Sequence, residues 1–256
     1  MRRRIPHLLV LAFLASASAA SAAGLNLSWN DCGNFGECNQ AFACNTNTGG
    51  AFQLYGSFVP PPGVTQCTGE EIVVDFAANS SDFSMPSWWQ FKNGGSCRQA
   101  AVSASADFTG GTGHCADYWG GQAAGAIAAW RFGDQLYPGW PNSYGRLLIV
   151  FAVPPTSSGS LDPGLEYYSF RLTVTKAKTV GTGSCSGCSI PAAFQFASIK
   201  LTQPVGVGDY QINQPLDRSF AAWQGGHFGQ WDVVYSCPMP VEARNRTWGS
   251  IKSLYR

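Results

Sequence analysis

Charge is the first thing this sequence has little of: 12% of its 256 residues are Asp, Glu, Lys or Arg, where a soluble domain ordinarily carries roughly 25%. Beyond Arg2, Arg3 and Arg4 the basic residues are few and scattered. That excludes the basic stripe of a nucleic-acid surface and the polybasic patch that holds a protein on an acidic membrane. Long apolar runs are also missing. The run from Leu8 to Leu14 is too short to span a bilayer, and no later one approaches about 20 residues, so no transmembrane segment is expected and the mature protein should be soluble. Histidine is rare: beyond the first 23 residues there are only His114 and His227. No G-x-S-x-G, H-E-x-x-H or D-x-[DN]-x-[DN]-G stretch occurs, so the common signatures of serine hydrolases, zinc proteases and calcium loops are absent.

What the chain does have begins at its N-terminus. Three arginines, a short apolar core and the small-residue triplet Ala20-Ser21-Ala22 form a secretory signal peptide over residues 1–23. Its removal takes three of the 16 basic residues, leaving 13 against 15 acidic ones and a charge of about −2. The expected location is therefore secreted, extracellular or at the cell surface, with the periplasm as the alternative.

All nine cysteines follow the leader, and an exported chain this rich in cysteine is expected to form disulfides. Local order groups Cys32, Cys38, Cys44 and Cys67 into two bridges, Cys97 with Cys115, and Cys185 with Cys188. Cys237 is left as the odd thiol or as the partner of a distant N-terminal cysteine. Cys185 and Cys188 form a C-x-x-C pair. A redox pair would open a helix after a strand, and a four-cysteine zinc site would need a second close pair. Here YYSFRLTVTKAKTV before it and AAFQFASIKL after it both read as strands, so the motif reads as a stapled loop.

Short strand-like segments punctuated by Gly and Pro recur along the chain. They include Leu25 to Trp29, Ala51 to Val59, Glu71 onward, AVSASADF, Arg146 to Val153 and Trp231 to Ser236. SWWQF reads as one helical turn, and CADYWGGQAAGAIAAWRF as a loop followed by a strand. In YYSFRLTV, alternation places Tyr168, Phe170, Leu172 and Val174 on one side. Arg146 to Val153 is a continuous apolar run suited to a core strand. No regular alternation of strand and helix is present. The expected fold is all-β: a single disulfide-reinforced antiparallel β-sandwich of jelly-roll or Greek-key type over 24–240, with long Gly- and Trp-rich loops.

Residues 241–256 differ from the rest. Trp248, Ile251, Leu254 and Tyr255 fall at helical spacing among Arg244, Arg246, Lys252 and Arg256. This tail reads as a terminal helical turn or as a sorting signal. Its W-G-x-I-K-x-L-Y-R form resembles terminal segments of otherwise unrelated exported bacterial proteins. The N-D-C-G at Asn30 to Gly33 and the C-N-T-N-x-G at Cys44 to Gly49 resemble a group of secreted bacterial proteins of no assigned activity. The resemblance implies an address, with export or sorting machinery as partner, and no chemistry.

Candidate chemistry is thin. His114 lies near Asp117 and His227 near Asp232, but neither has a nucleophile in a recognisable setting. His114, His227 and Asp117 could ligate zinc only if loops brought them together. Glu70, Glu71, Asp75 and Glu166 are the carboxylates from which a glycosidase pair would be drawn. Calcium is compatible with oxygen ligands at Asn30 to Asn34, Asp107, Asp117, Asp162 and Asp209, though none has calcium-loop spacing. The tryptophans are more informative. Trp88, Trp89, Trp119 and Trp223 sit beside Gly, Asn or Gln in expected loops, where flat rings and amides would suit a glycan; the competing reading makes them core filler. The sequence thus points to a secreted or cell-surface structural or adhesive protein without catalytic activity. A carbohydrate-binding protein using those tryptophans and a secreted hydrolase are the alternatives. The expected external partner is a glycan or another cell-envelope component.

Overall fold

The computed structural model describes residues 24–92, 97–213 and 219–228. The leader, Trp231, Asp232, Cys237 and the tail 241–256 lie outside the described residues. Eleven strands are described: β1 (Gly24–Trp29), β2 (Asn39–Gln40), β3 (Phe52–Val59), β4 (Gly69–Ala78), β5 (Val102–Ser105), β6 (Ala124–Phe132), β7 (Tyr144–Ala152), β8 (Tyr167–Val174), β9 (Ala192–Thr202), β10 (Tyr210–Ile212) and β11 (Ser219–Trp223). The smaller sheet has the order β1-β3-β8-β5. The larger runs β2-β11-β9-β4-β7-β6, with β10 added to β9. Neighbouring strands are antiparallel except β2 and β11.

Alternation decides which side chains meet between the sheets. In β7, Leu147, Ile149 and Phe151 point in, while Leu148 and Val150 are 40% and 41% exposed. The run that reads as continuously apolar therefore belongs to a strand with one buried face. Inner rings from the two sheets touch edge to face: Trp29 with Phe194 at 5.8 Å and Phe170 with Phe196 at 5.1 Å. The fold is an all-β, disulfide-reinforced sandwich.

One bulge changes a face. β3 pairs Gly56 with Phe170 and Ser57 with Tyr168, leaving Ser169 as an extra residue in β8. Phe170, Leu172 and Val174 stay in the core. Tyr168, which simple alternation would put beside them, turns to the opposite face of the sheet, where it is still buried. Its ring stacks on Phe108 at 4.5 Å and lies 6.0 Å from Tyr55. Gly56 is required opposite Phe170, because any Cβ there would run into that ring.

Three bridges are described, Cys32–Cys115, Cys44–Cys188 and Cys97–Cys185, and Cys38 is also disulfide-bonded. Cys185 therefore does not pair with Cys188, nor Cys97 with Cys115. Gly187, between the two C-x-x-C cysteines, has φ +101°, a left-handed turn that aims its neighbours at different loops. Cys67, expected in a bridge, is a buried free thiol.

Candidate functional site

The C-x-x-C loop closes one end of the sandwich over the tryptophans. Trp88 stacks on Trp223 at 5.2 Å, and Trp89 meets both edge to face at 4.6 and 5.4 Å. The loop carbonyls at Ser186 and Cys188 accept hydrogen bonds from the Trp88 backbone N–H and the Trp223 indole N–H, at 2.8 and 2.7 Å. Thr179 Oγ1 accepts from the Trp88 indole at 3.2 Å. Above the cluster lies Arg98, its guanidinium 3.6 Å from the centre of the Trp88 ring. Arg98 is itself buried and donates to the carbonyls of Trp88, Ala177 and Thr175. Trp88, Trp89 and Trp223 have no exposed surface, and Trp119, packed edge to face on Tyr118 elsewhere, is 2% exposed. None of the four offers a free face to a sugar. The glycines that follow Trp119 and Trp223, Gly120, Gly121 and Gly225, take positive φ in turns that let the chain close tightly over those rings.

A second cluster lies on the outer face of the smaller sheet. Asp31 is buried and accepts from Thr112 Oγ1 at 2.6 Å and from the Cys32 backbone N–H at 2.7 Å. It also contacts His114 Nδ1 at 2.5 Å. Burial raises its carboxyl, but the hydrogen bonds from Thr112, His114 and Cys32 outweigh burial and hold it below the usual value. Phe35 stacks on the outer side of the His114 ring at 4.1 Å. The Cys32–Cys115 bridge holds both loops here. His114 thus engages Asp31, not Asp117 or His227. The hydroxyl of Thr112 binds the carboxylate, and the cluster ties loops to the sheet. The structure reveals this pair where sequence proximity to Asp117 misled, because a bridge spanning 83 residues joins the two segments.

The remaining candidates separate. Glu166 accepts from Asn26 Nδ2 at 2.8 Å and Ser57 Oγ at 2.6 Å. Glu70 and Glu71 lie on opposite faces of β4, and Asp75 binds Arg146 at 2.6 and 2.9 Å. These carboxylates do not converge on one cleft. Asp107, Asp117, Asp162 and Asp209 each accept backbone N–H groups in their own local turns. Among the described residues no three His, Cys, Asp or Glu side chains come together as a metal ion would need. His227 exchanges two hydrogen bonds with Asn79 through its backbone.

Glu70 points between the sheets, 1% exposed. Its Oε2 accepts from Ser169 Oγ at 2.9 Å, while Oε1 has no partner. The bulge in β8 places that serine within reach. Burial pushes the Glu70 carboxyl well above its ordinary 4.5, and the Ser169 hydrogen bond only partly offsets this. Nearby, burial and then the Glu70 charge push the Cys67 thiol up to about 12.

A partly exposed aromatic strip lies elsewhere, across one end of the larger sheet's outer face, running from exposed Tyr137 and Trp140 through half-buried Tyr144 and Phe228 to buried Phe220. Tyr137, Trp140, Tyr144, Phe228 and Phe220 form a chain of ring contacts at 5.4, 6.2, 5.6 and 5.9 Å. Tyr137 and Trp140 stand on the β6–β7 connection, 53% and 36% exposed. Beside them is the Arg146–Asp75 pair, with Tyr137 close enough to act on the guanidinium.

No family model matches the chain, and no curated protein does. Two solved structures are similar to it at a distance. The major pilin subunit of Bacillus cereus has 10% identity and a TM-score of 0.33, over 79% of this chain and 40% of that one. The major subunit of aggregative adherence fimbriae type I of Escherichia coli has 7% identity and a TM-score of 0.24, over 80% and 97%. The chain thus spans less than half the length of the Bacillus cereus protein. At these scores neither likeness carries an argument about what this chain does.

Proposed function

We propose that the protein is a non-catalytic structural or adhesive sandwich working outside the cytoplasm, secreted or held at the cell surface. The observation that carries this reading is the disulfide set. Each described bridge joins loops 83 to 144 residues apart, and such bonds persist only in an oxidising compartment. Long-range bridges of this kind typically add about 2–4 kcal/mol each. The polar side chains support the same reading: buried Asp31 and Arg98 and half-buried Glu166 are spent on holding loops to the sheets. In this reading residues 1–23 are the leader, 24–240 one domain, and 241–256 the segment read by export or sorting machinery.

The test is fractionation of the native cells with an antibody to the protein, followed by intact mass after thiol blocking without reduction. The expected protein lies in the envelope or medium, with bridged cysteines unblocked. A cytoplasmic protein whose cysteines all take up the blocking group would sink the proposal.

A further inference from the structure

We propose that the aromatic strip on the outer face of the larger sheet is a contact site for a neutral, soluble glycan chain. Its rings are displayed by fixed backbone. Asp134 Oδ1 accepts from the Gly139 N–H at 3.0 Å, and Gly139 takes φ +84°, so the turn bearing Tyr137 and Trp140 is closed on itself. Sugars present an apolar face of C–H groups ringed by hydroxyls. An exposed ring meets the face, and polar groups of fixed geometry meet the hydroxyls. Here the polar group is the Arg146–Asp75 pair, fixed by two hydrogen bonds from one guanidinium to one carboxylate and directly opposite across β4 and β7.

Two features narrow the ligand. Among the described residues the charges along the strip are Arg131 and Arg146 against Asp75 and Asp134, two of each sign, so an acidic polymer gains nothing there over a neutral one. The rings are not coplanar: Tyr137 and Trp140 are tilted by 45°, and Trp140 and Tyr144 by 77°. A flat crystalline polysaccharide surface would meet one ring at a time. A single chain that turns along its length can meet several. The site gives the adhesive reading a ligand and rests on it for its biological meaning, but binding is measured on the purified protein, so the two can fail separately.

The experiment is native affinity electrophoresis of the full chain, disulfides intact, in gels containing soluble glucan, xylan or mannan, with a pull-down on crystalline cellulose alongside. The expected result is retardation in at least one gel and none retained on the crystal. Trp140→Ala and Tyr137→Ala should each weaken binding by about tenfold or more. Phe35→Ala, which removes an exposed ring elsewhere, should leave it unchanged. Absence of retardation in every gel overturns the proposal, as does equal retardation of Trp140→Ala. Equal iodide quenching of the unaltered protein and Trp140→Ala would mean that the ring is covered in the full chain, and a lower sedimentation coefficient for Trp140→Ala that a second copy occupies it. Either overturns the proposal. A cytoplasmic location would sink the adhesive reading and leave the gel result standing.

Discussion

Replacing Glu70 with glutamine should make the protein more stable at neutral and alkaline pH and remove part of its sensitivity to pH. The side chain is 1% exposed, faces the space between the sheets, and has one oxygen without a partner. Burial raises its folded pKa well above 4.5, the value it recovers on unfolding. Above that value the unfolded chain has lost the proton while the folded protein keeps it. The folded state binds more protons, so stability falls as pH rises from about 4.5 toward the folded pKa. The slope from one such group approaches about 1.4 kcal/mol per pH unit. Across two units within that window this is up to about 2.7 kcal/mol. For a domain of this size it corresponds to a melting shift on the order of 5–10 °C. Glutamine has the same shape, still accepts from Ser169 and carries no proton to lose. Near pH 4.5 the two proteins should melt within a few degrees of each other, and the gap should widen as the pH rises toward the folded pKa. Thermal melts followed by near-ultraviolet circular dichroism, at half-unit steps from pH 4.5 to 8 with bridges intact, check this. Every other titrating group is common to both proteins, so parallel curves would refute the buried-carboxyl argument.

Three other outcomes are expected. Peptide mapping without reduction should recover Cys97 joined to Cys185 and Cys44 to Cys188, and Cys44→Ala with Cys188→Ala should lower stability by about 2–5 kcal/mol in a denaturant melt; a Cys185–Cys188 peptide would contradict the structure. Cys67 should resist Ellman's reagent at pH 8 in the folded protein and react fully on unfolding, since burial both raises its thiol pKa and shields it. Asp31→Ala should cost about 1–3 kcal/mol at pH 7 by orphaning the Cys32 N–H and the Thr112 hydroxyl. Because the folded Asp31 pKa is depressed, its contribution is present above about 3.8 and is lost as pH falls below that, so the deficit of the variant should shrink in acid.

Much of the fold was legible because strands announce themselves by alternation and turns by Gly and Pro. β7 follows from its continuous apolar run, β8 from its alternation, and the single turn at Ser87–Trp89 from SWWQF. Tyr168 was not legible, because a one-residue bulge flips a side chain without leaving a mark in composition. The bridges were not legible either, since spacing favours neighbours whereas the folded loops bring together residues 83 to 144 apart. The tryptophans misled for a related reason. Glycine beside an aromatic looks the same whether the turn exposes the ring or seals it in. Trp119 before Gly120 and Trp140 after Gly139 are alike on paper, yet one ring is 2% exposed and the other 36%.

The crossed bridges also decide how the molecule would respond to tension. A pull applied at the two ends travels through the shortest covalent path. From Cys44 that path jumps directly to Cys188, bypassing the 144-residue separation between them. At about 3.3–3.6 Å per extended residue, roughly 500 Å of chain is thereby locked away from any stretching force. β3 through β8 would be held as one inextensible block. The residues before Cys32, which include β1, lie outside every described bridge and could lengthen under load. A tethered molecule of this design would yield at its N-terminal strand while its centre stayed folded.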